Sequence, residues 1–260
     1  MSDIVLLEVS DRVATVTLNR PEARNALSSA LLRDLNRMMS EVNARDDVDV
    51  IILTGTDPAF SAGLDLKELG DTAGNLGASE DSGGAATTAR PNNPFHMVDK
   101  PLIAAVNGAC ITGAFELALN CDFIIASERA KFGDTHSRVG VMPGWGLTVL
   151  LPQAIGVRRA REMSFTGNFL SGQEAFEWGL ANHVVPHEEL LPTCRKLAKD
   201  IIGNDQPGVR QIRRTYNEIH QHADGWAIEA RDGKQWQREM FSKDKVAQRR
   251  GAIMDRGRKQ

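Results

Sequence analysis

Two segments of the chain each lead from the end of an apolar run into the start of a helix. In residues 58–68, small residues pass through a glycine to Leu64 and an acidic first helical turn. In residues 107–116, Gly113 precedes the carboxylate of Glu116 by three positions. The first backbone N–H groups of a helix have no partner within it and carry partial positive charge. Each segment can therefore offer an N–H group, that of Leu64 or of Gly113, to an oxyanion.

The two segments together give a stronger functional prediction than either segment gives alone. Taken singly, the first is also compatible with an ordinary glycine turn, and Glu116 with a first-turn glutamate stabilised by the helix dipole. Two N–H donors directed at one oxygen stabilise an enolate, and a neighbouring carboxylate can move a proton. Because residues three apart on a helix are neighbours, Glu116 is predicted to share a face with Gly113. The pair predicts a site for enolate chemistry.

The elements that position these groups follow from hydrophobic periodicity. Apolar stretches at residues 4–9 and 13–18, separated by the turn-prone residues 10–12, predict an antiparallel hairpin. Ser28, followed by leucine and methionine at helical spacing, predicts the N-cap of an amphipathic helix that ends before residues 46–47. The chain is thus expected to open with two strands and a helix.

Further along the chain, buried strands alternate with helices. A continuous apolar run at residues 50–53 predicts a strand that is covered on both faces, and residues 102–106 and 122–126 predict two further strands. A helix predicted over residues 113–119 separates the last two strands. This alternation predicts an α/β architecture with one mainly central sheet.

The C-terminal part of the chain has a helical pattern, with an apolar stripe over residues 190–202. We expect a core over residues 1–187 and a C-terminal helical region over residues 188–260. Such an apolar stripe needs a surface to cover, which predicts packing on the core or on a second subunit. Residues 71–89 hold almost no large apolar side chain and are predicted to be a mobile loop, either disordered or ordered by ligand as a lid.

Composition excludes several functional classes. The 260 residues include 31 basic and 34 acidic side chains, so a net charge of −3 provides no field for gripping nucleic acid. No apolar run approaches the roughly 18 residues of a membrane span, and the acidic N-terminus does not suit a signal peptide. Three cysteines without a CxxC pair predict a reduced, cytoplasmic protein. The histidines lack metal-ligand spacing, so no metal is expected.

The chain resembles the enoyl-CoA hydratase/isomerase (crotonase) superfamily in its two signature segments, AFSAGLDLKEL at 59–69 and NGACITGAFELALNCDF at 107–123. Further matches are LNRPEARNAL at 18–27, KPLIAAVNG at 100–108 and VGVMPGWG at 139–146. The resemblance implies a crotonase-like α/β spiral of strand-strand-helix repeats with a C-terminal helical region. It also implies an acyl-CoA substrate, no cofactor besides the coenzyme A carried by that substrate, and a homo-oligomer, either a trimer or a hexamer.

The resemblance also implies roles for single residues. The oxyanion hole would be the N–H groups of Leu64 and Gly113, and Glu116 matches the first of two catalytic glutamates in the family's hydratases. Other positions match segments that hold the coenzyme A moiety: Arg24, Ala26, Ala62, Gly63, Asp65, Lys67 and, in the final helix, Arg256. A solvated surface charge is the alternative interpretation for Lys67 and for Arg256.

The chain departs from the family pattern where hydratases carry a Pro-Glu pair, because it has Thr135 and His136 there. The second carboxylate is missing. His136 is a candidate catalytic residue, since imidazole exchanges protons near neutral pH, or else it holds water or serves the structure. Asp134 either orients this histidine or caps its turn. Trp145 is predicted to serve the core, with a place beside the acyl group as the alternative.

These observations predict hydration of a trans-2-enoyl-CoA, with Glu116 moving the proton. Other enolate chemistry on acyl-CoA is the first alternative, namely double-bond isomerisation, thioester hydrolysis or decarboxylation, because one oxyanion hole serves all of these. A catalytically silent acyl-CoA binder is the second alternative. Retention of Glu116 argues against it.

Overall fold

A computed structural model of the chain describes residues 4–71, 94–95, 98–220, 230–231, 233–235, 237–239 and 244. The strands described are β1 (Val5–Ser10), β2 (Val13–Leu18), β3 (Val50–Gly55), β4 (Ala59–Ser61), β5 (Leu102–Val106), β6 (Ala109–Ile111), β7 (Phe123–Ser127), β8 (Lys131–Gly133), β9 (Phe169–Ser171) and β10 (His183–Val185). The α-helices described are α1 (Ser29–Ala44), α2 (Leu66–Asp71), α3 (Gly113–Leu119), α4 (His136–Val139), α5 (Leu147–Ile155), α6 (Val157–Thr166), α7 (Gly172–Glu177), α8 (Leu190–Ile202) and α9 (Gln206–His220).

The chain opens with the predicted hairpin. Strands β1 and β2 pair antiparallel through a two-residue turn, in which Asp11 and Arg12 have φ values of 51° and 63°. Positive φ at both turn residues matches the twist of the flanking strands. The helix that follows, α1, begins after Ser28, whose hydroxyl accepts the backbone N–H of Leu31 at 3.2 Å. The predicted hairpin and helix are therefore confirmed.

The strands form two sheets, so the prediction of one mainly central sheet is wrong. The larger sheet has the order β1-β2-β3-β5-β7-β10, and the smaller has the order β4-β6-β8-β9. Strands β3, β5 and β7 belong to the larger sheet, whereas the strand that follows each of them belongs to the smaller one. Helices α2, α3 and α4 then complete three strand-strand-helix repeats. The strands of the smaller sheet have three residues each, too few to show an alternating pattern.

This arrangement brings three chain segments to one edge of the smaller sheet. Strands β4, β6 and β8 are parallel neighbours, so their carboxyl ends meet at the same edge. After each strand, the chain continues from that edge into a helix. These strand-to-helix connections place Leu64 after β4, Gly113 after β6 and His136 after β8. Candidate site residues from three separate repeats therefore lie together for a topological reason, in the way that ligand sites form at strand ends in other α/β sheets.

Helices cover both faces of the larger sheet. The apolar side of α1, including Leu35 and Val42, belongs to the main core together with residues of β1 and β2. On the opposite face, Leu190, Cys194 and Ala198 of α8 pack on β3, β5 and β7. The central strands are consequently buried on both sides, as the continuous apolar sequence of β3 predicts for that strand.

Helix α9 is joined to the core by two ion pairs. Arg210 contacts Asp49 at 3.3 Å, and Arg213 contacts both oxygens of Asp122 at 2.7 and 2.9 Å. The division of the chain near residue 187 stays a prediction. Apart from Asp71, the predicted loop at 71–89 lies outside the described residues. No helix among those residues has the length and apolarity needed to cross a bilayer.

Candidate active site

The first predicted donor, Leu64, lies in a short parallel bridge with Leu27. Leu27 donates its N–H to the carbonyl of Gly63 at 2.8 Å and accepts the N–H of Asp65 at 3.0 Å. Both bonds of the bridge thus flank Leu64, whose own N–H points to the other side of the segment. Gly63 has a φ of +88°, and a Cβ there would lie 2.5 Å from the carbonyl oxygen of Ile111. Only glycine fits this turn.

The second predicted donor, Gly113, is the first residue of α3. Thr112 before it has φ 55° and ψ −111°, a conformation that β-branched residues rarely adopt. Two contacts with the next repeat hold Thr112: its N–H donates to Gly133 at 2.8 Å, and its hydroxyl lies 2.5 Å from that of Thr135. The strained conformation of Thr112 turns the chain sharply from β6 into α3. Within the described part of the chain, no acceptor receives the N–H of Gly113 or of Leu64.

The structure brings the two donors together. A Cβ added to Gly113 would lie 3.3 Å from Cγ of Leu64 and 3.5 Å from Cζ3 of Trp145. Backbone, aliphatic side chain and indole therefore surround one small space beside the two N–H groups. The residues that carry the two predicted donors are therefore neighbours in the fold, and their role as an oxyanion hole stays a prediction.

Glu116 is 3% exposed and is held by the backbone of another segment. Its Oε1 accepts N–H groups from Gly144 at 3.2 Å, Trp145 at 2.8 Å and Leu147 at 3.3 Å. These contacts go beyond the dipole interaction of an ordinary first-turn glutamate. They fix the carboxylate one helical turn from Gly113 and leave Oε2 as the oxygen that can meet a substrate.

His136 lies between two carboxylates and is 3% exposed. Its Nε2 is 3.4 Å from Oε2 of Glu116, and its Nδ1 is 2.6 Å from Oδ1 of Asp134. The same Oδ1 accepts the backbone N–H of His136 at 3.1 Å. Asp134 therefore does what both interpretations of the sequence required, because it caps the turn and orients the ring.

The electrostatics of this group favour a charged ring. Burial alone lowers the pKa of His136, but its contacts with Asp134 and Glu116 outweigh burial and raise the pKa to about 10. Burial raises the pKa of Asp134, yet its hydrogen bonds with His136 and Ser164 and the charge of His136 together outweigh burial and bring that pKa below its usual value. Both contacts thus favour the imidazolium form of the ring.

The residues predicted to hold coenzyme A lie on two adjoining loops. The N–H of Ala62 donates to the carbonyl of Arg24 at 2.9 Å. The side chains of Arg24 and Lys67 are exposed and accessible to a ligand. Asp65 instead accepts the N–H of Lys67 at 3.1 Å and pairs with Arg20 at 3.3 Å, so its carboxylate serves the loop. Arg256 lies outside the described residues.

Sequence reasoning missed two residues that shape these loops. Arg20 donates to the carbonyl of Ala26 at 2.6 Å besides pairing with Asp65. Buried Asn25 has a φ of 55°, accepts the N–H of Arg20 at 2.8 Å and donates to the carbonyls of Thr56 and Ala59 at 2.7 Å each. The sequence signal for these residues was the run of polar side chains inside the LNRPEARNAL match. A buried amide must find hydrogen-bond partners, and a solvent-exposed loop would not require one.

Trp145 has the core role predicted for it, and its place beside the acyl group stays a prediction. Its ring packs against the main core and lies close to Gly113, while its backbone N–H binds Glu116. Its carbonyl accepts the side-chain amide of Asn120 at 2.7 Å, which also donates to the carbonyl of Glu116. These bonds fix the indole relative to the carboxylate.

Comparison with known proteins agrees with the motifs. The family model for enoyl-CoA hydratase/isomerase matches residues 8–258. A probable peroxisomal enoyl-CoA hydratase 1 of Arabidopsis thaliana is 38% identical over 209 residues, 80% of this chain and 76% of that protein. A crotonyl-CoA hydratase of Syntrophomonas wolfei is 37% identical over 215 residues, 82% of this chain and 81% of that protein.

Solved structures support the same grouping. An enoyl-CoA hydratase from Mycobacterium smegmatis is 46% identical with a TM-score of 0.81, covering 92% of this chain and all of that one. A monofunctional enoyl CoA isomerase from M. smegmatis is 33% identical with a TM-score of 0.70, covering 87% of this chain and 99% of that one. The predicted crotonase-like fold and the resemblance are confirmed. The chain belongs to the enoyl-CoA hydratase/isomerase family.

Proposed function

We propose that the protein is an enoyl-CoA hydratase, which adds water across the 2,3 double bond of a trans-2-enoyl-CoA. Several relatives carry that activity in their names. The observation that carries the proposal is the position of Glu116: a buried carboxylate, fixed by three backbone donors, one helical turn from Gly113. A base and an oxyanion site so placed can act on adjacent atoms of one thioester.

The geometry supports the following sequence of events. The thioester oxygen accepts the N–H groups of Leu64 and Gly113, and this polarisation makes C3 electrophilic. Glu116 takes one proton from water as the water oxygen bonds to C3, and the π electrons move to the thioester oxygen as an enolate. The enolate collapses as C2 takes the proton from Glu116. Both hydrogens and the oxygen of the water are then in the product.

Recognition of coenzyme A is proposed for the two adjoining loops. Arg24 and Lys67 supply exposed cations, and Ala26, Ala62 and Gly63 supply backbone at the same loops. Arg256 is proposed to contact the coenzyme A of a neighbouring subunit in a homotrimer or hexamer. Acid/base chemistry on a thioester needs no further cofactor. A cytoplasmic location is supported by three buried, unpaired thiols, and the net charge of −3 gives no reason to expect a nucleic-acid partner.

The test is Glu116→Gln, assayed by loss of the conjugated thioester absorbance of crotonyl-CoA. Turnover should fall by roughly a hundredfold or more, the scale of losing a general acid/base, because the amide cannot take the proton. Affinity for acyl-CoA should change little, since the backbone donors proposed for the thioester and the residues proposed for coenzyme A are unaltered. Glu162→Gln, at an exposed position of α6, is the matched control and should behave as wild type. Wild type without hydratase activity, or full activity in Glu116→Gln, would refute the proposal.

Isomerisation is the second candidate, because one carboxylate can carry a proton between C4 and C2, and Glu116 is the carboxylate available. A 3-enoyl-CoA substrate distinguishes the two reactions, since isomerisation creates the conjugated absorbance that hydration removes. Faster turnover of that substrate than of crotonyl-CoA would favour an isomerase. Release of free thiol would indicate hydrolysis, and binding without any turnover would indicate a silent acyl-CoA binder.

A further inference from the structure

Asp134, His136 and Glu116 form a line of three ionisable groups. This line differs from the pair of glutamates expected in a hydratase of the family. We propose that His136 is a positioning residue, an imidazolium held between Asp134 and Glu116 that fixes the reacting carboxylate and exchanges no proton with substrate. This inference rests on the proposed function, in which Glu116 moves the proton. It assigns both proton transfers of the reaction to a single carboxyl group.

Both ring nitrogens of His136 are already occupied. Nδ1 lies 2.6 Å from Asp134 and Nε2 lies 3.4 Å from Glu116, and the ring is buried. Asp134 cannot readily move away, because the backbone N–H of His136 and the side chain of Ser164 also bind it. A second general acid would need a ring nitrogen that faces the substrate, and both nitrogens of His136 face carboxylates instead.

The contacts with two carboxylates favour the charged ring. A neutral imidazole has one N–H donor and one acceptor nitrogen, whereas both partners of His136 are carboxylates that accept. A neutral ring would place a nitrogen lone pair against one carboxylate oxygen. Only the imidazolium donates to both sides, and the raised pKa of about 10 agrees with this geometry. Asp134 and Glu116 are the charged groups that face the ring from the two elements it contacts.

The consequence for Glu116 is a defined orientation. Three backbone donors occupy Oε1, and His136 occupies one lone-pair direction of Oε2. One direction of Oε2 remains for water and then for C2. The proton taken from water is passed on to C2 from that same oxygen, as a single-carboxyl mechanism requires.

The charge of the ring is tested without any activity. In the full-length protein labelled with ¹⁵N-histidine, both nitrogens of His136 should be protonated at pH 8, with titration near pH 10, and exposed His183 serves as the internal reference. Asp134→Asn should lower this titration, because it removes the negative charge but keeps the oxygen that accepts the His136 N–H. A neutral ring in wild type at pH 8 would overturn the proposal.

The role of the ring is tested by kinetics on crotonyl-CoA. His136→Gln keeps a donor but no charge, so kcat should fall about 10- to 100-fold, the effect of removing the group behind a ligating histidine in metal sites. KM should stay within about twofold, and the acid limb of the pH profile should move to higher pH. The double variant Glu116→Gln/His136→Gln should be no slower than Glu116→Gln alone, because His136 acts only through Glu116.

Other outcomes of these experiments would contradict the proposal or the proposed function on which it rests. If the double variant loses a further factor equal to that of His136→Gln, His136 acts on the substrate and the proposal is wrong. If His136→Gln or Asp134→Asn lowers thermal stability while the pH profile stays fixed, the ring is only structural and the proposal is also wrong. If wild type does not hydrate crotonyl-CoA, the proposed function fails, while the ¹⁵N measurement still decides the charge of His136.

Discussion

At the scale of single residues, this site is built largely from backbone groups. The thioester oxygen would meet the N–H groups of Leu64 and Gly113, and further N–H groups hold Glu116. Backbone donors leave a trace in the sequence only through the glycines and helix starts around them, which is why these three residues could be predicted. The contact between His136 and Asp134 was among the alternatives offered by the sequence, whereas the contact with Glu116 was not, because Glu116 comes from a separate repeat.

Trp145 is the residue whose replacement should change acyl selectivity. Its indole closes the space next to Gly113, 3.5 Å from where a Cβ on that glycine would lie, while its backbone holds Glu116. Trp145→Ala keeps the backbone bond and opens the space. The ratio of kcat/KM for a ten-carbon enoyl-CoA to that for crotonyl-CoA should rise by about tenfold or more, the size of a pocket contact. Trp145→Phe is the control and should shift the ratio less. An unchanged ratio in Trp145→Ala would place the acyl chain elsewhere.

At the scale of elements, the long helices and strands could be predicted from the sequence, and the short strands could not. Helix α1 has a side-chain cap and six buried apolar residues at helical spacing, so local sequence specifies it. The strands β4, β6 and β8 are each three residues long and gain their partners only in the folded chain. The smaller sheet they form is nevertheless what brings the predicted donors to one edge. Local pattern thus predicted these candidate donors without predicting the sheet that brings their segments together.

The end of α1 illustrates the same dependence on distant residues. Lys100 is 2% exposed, and its Nζ donates to the carbonyls of Val42 at 2.9 Å and Arg45 at 2.5 Å. Burial lowers the pKa of this lysine, although nearby aspartates oppose the effect. It satisfies carbonyls that a helix end leaves without partners. No local signal in α1 predicts a cap supplied by a residue just before β5.

Lys100→Met should therefore destabilise the protein. The substitution keeps most of the side-chain volume but removes the Nζ donor from both carbonyls, of which that of Val42 retains only the N–H of Arg45 at 3.3 Å, at a cost of about 1–3 kcal/mol in the free energy of unfolding. Urea denaturation followed by tryptophan fluorescence measures the change. Lys196→Met, at an exposed position of α8, is the matched control and should stay within about 0.5 kcal/mol of wild type. Equal stability of the two variants would show that this cap contributes nothing.

At the scale of the whole molecule, α9 is held on the core by ion pairs, and some of its apolar side chains are exposed to solvent. Arg210 and Arg213 bind aspartates of the core, whereas Ile212 and Tyr216 are 59% and 63% exposed. A cavity of about 470 Å³ lies between this helix and the ends of α3 and α5. The apolar stripe predicted over residues 190–202 belongs to α8 and packs on the larger sheet, so it does not account for the exposed side of α9. The side chains of α9 that meet the core among the described residues include two ion-paired arginines, and its exposed apolar side remains available for a second subunit.

The purified protein is therefore expected to assemble, with light scattering at micromolar concentration giving three or six times the mass of one chain. Ile212→Asp should reduce that mass, because a carboxylate placed on the exposed apolar side of α9 would lose its hydration in an interface. Lys196→Asp introduces the same carboxylate on the exposed side of α8 and should leave the assembly intact. Retention of hydratase activity by dissociated Ile212→Asp would show that one chain completes its own site. A monomeric wild type, or an unchanged mass for Ile212→Asp, would mean that α9 does not form the subunit contact.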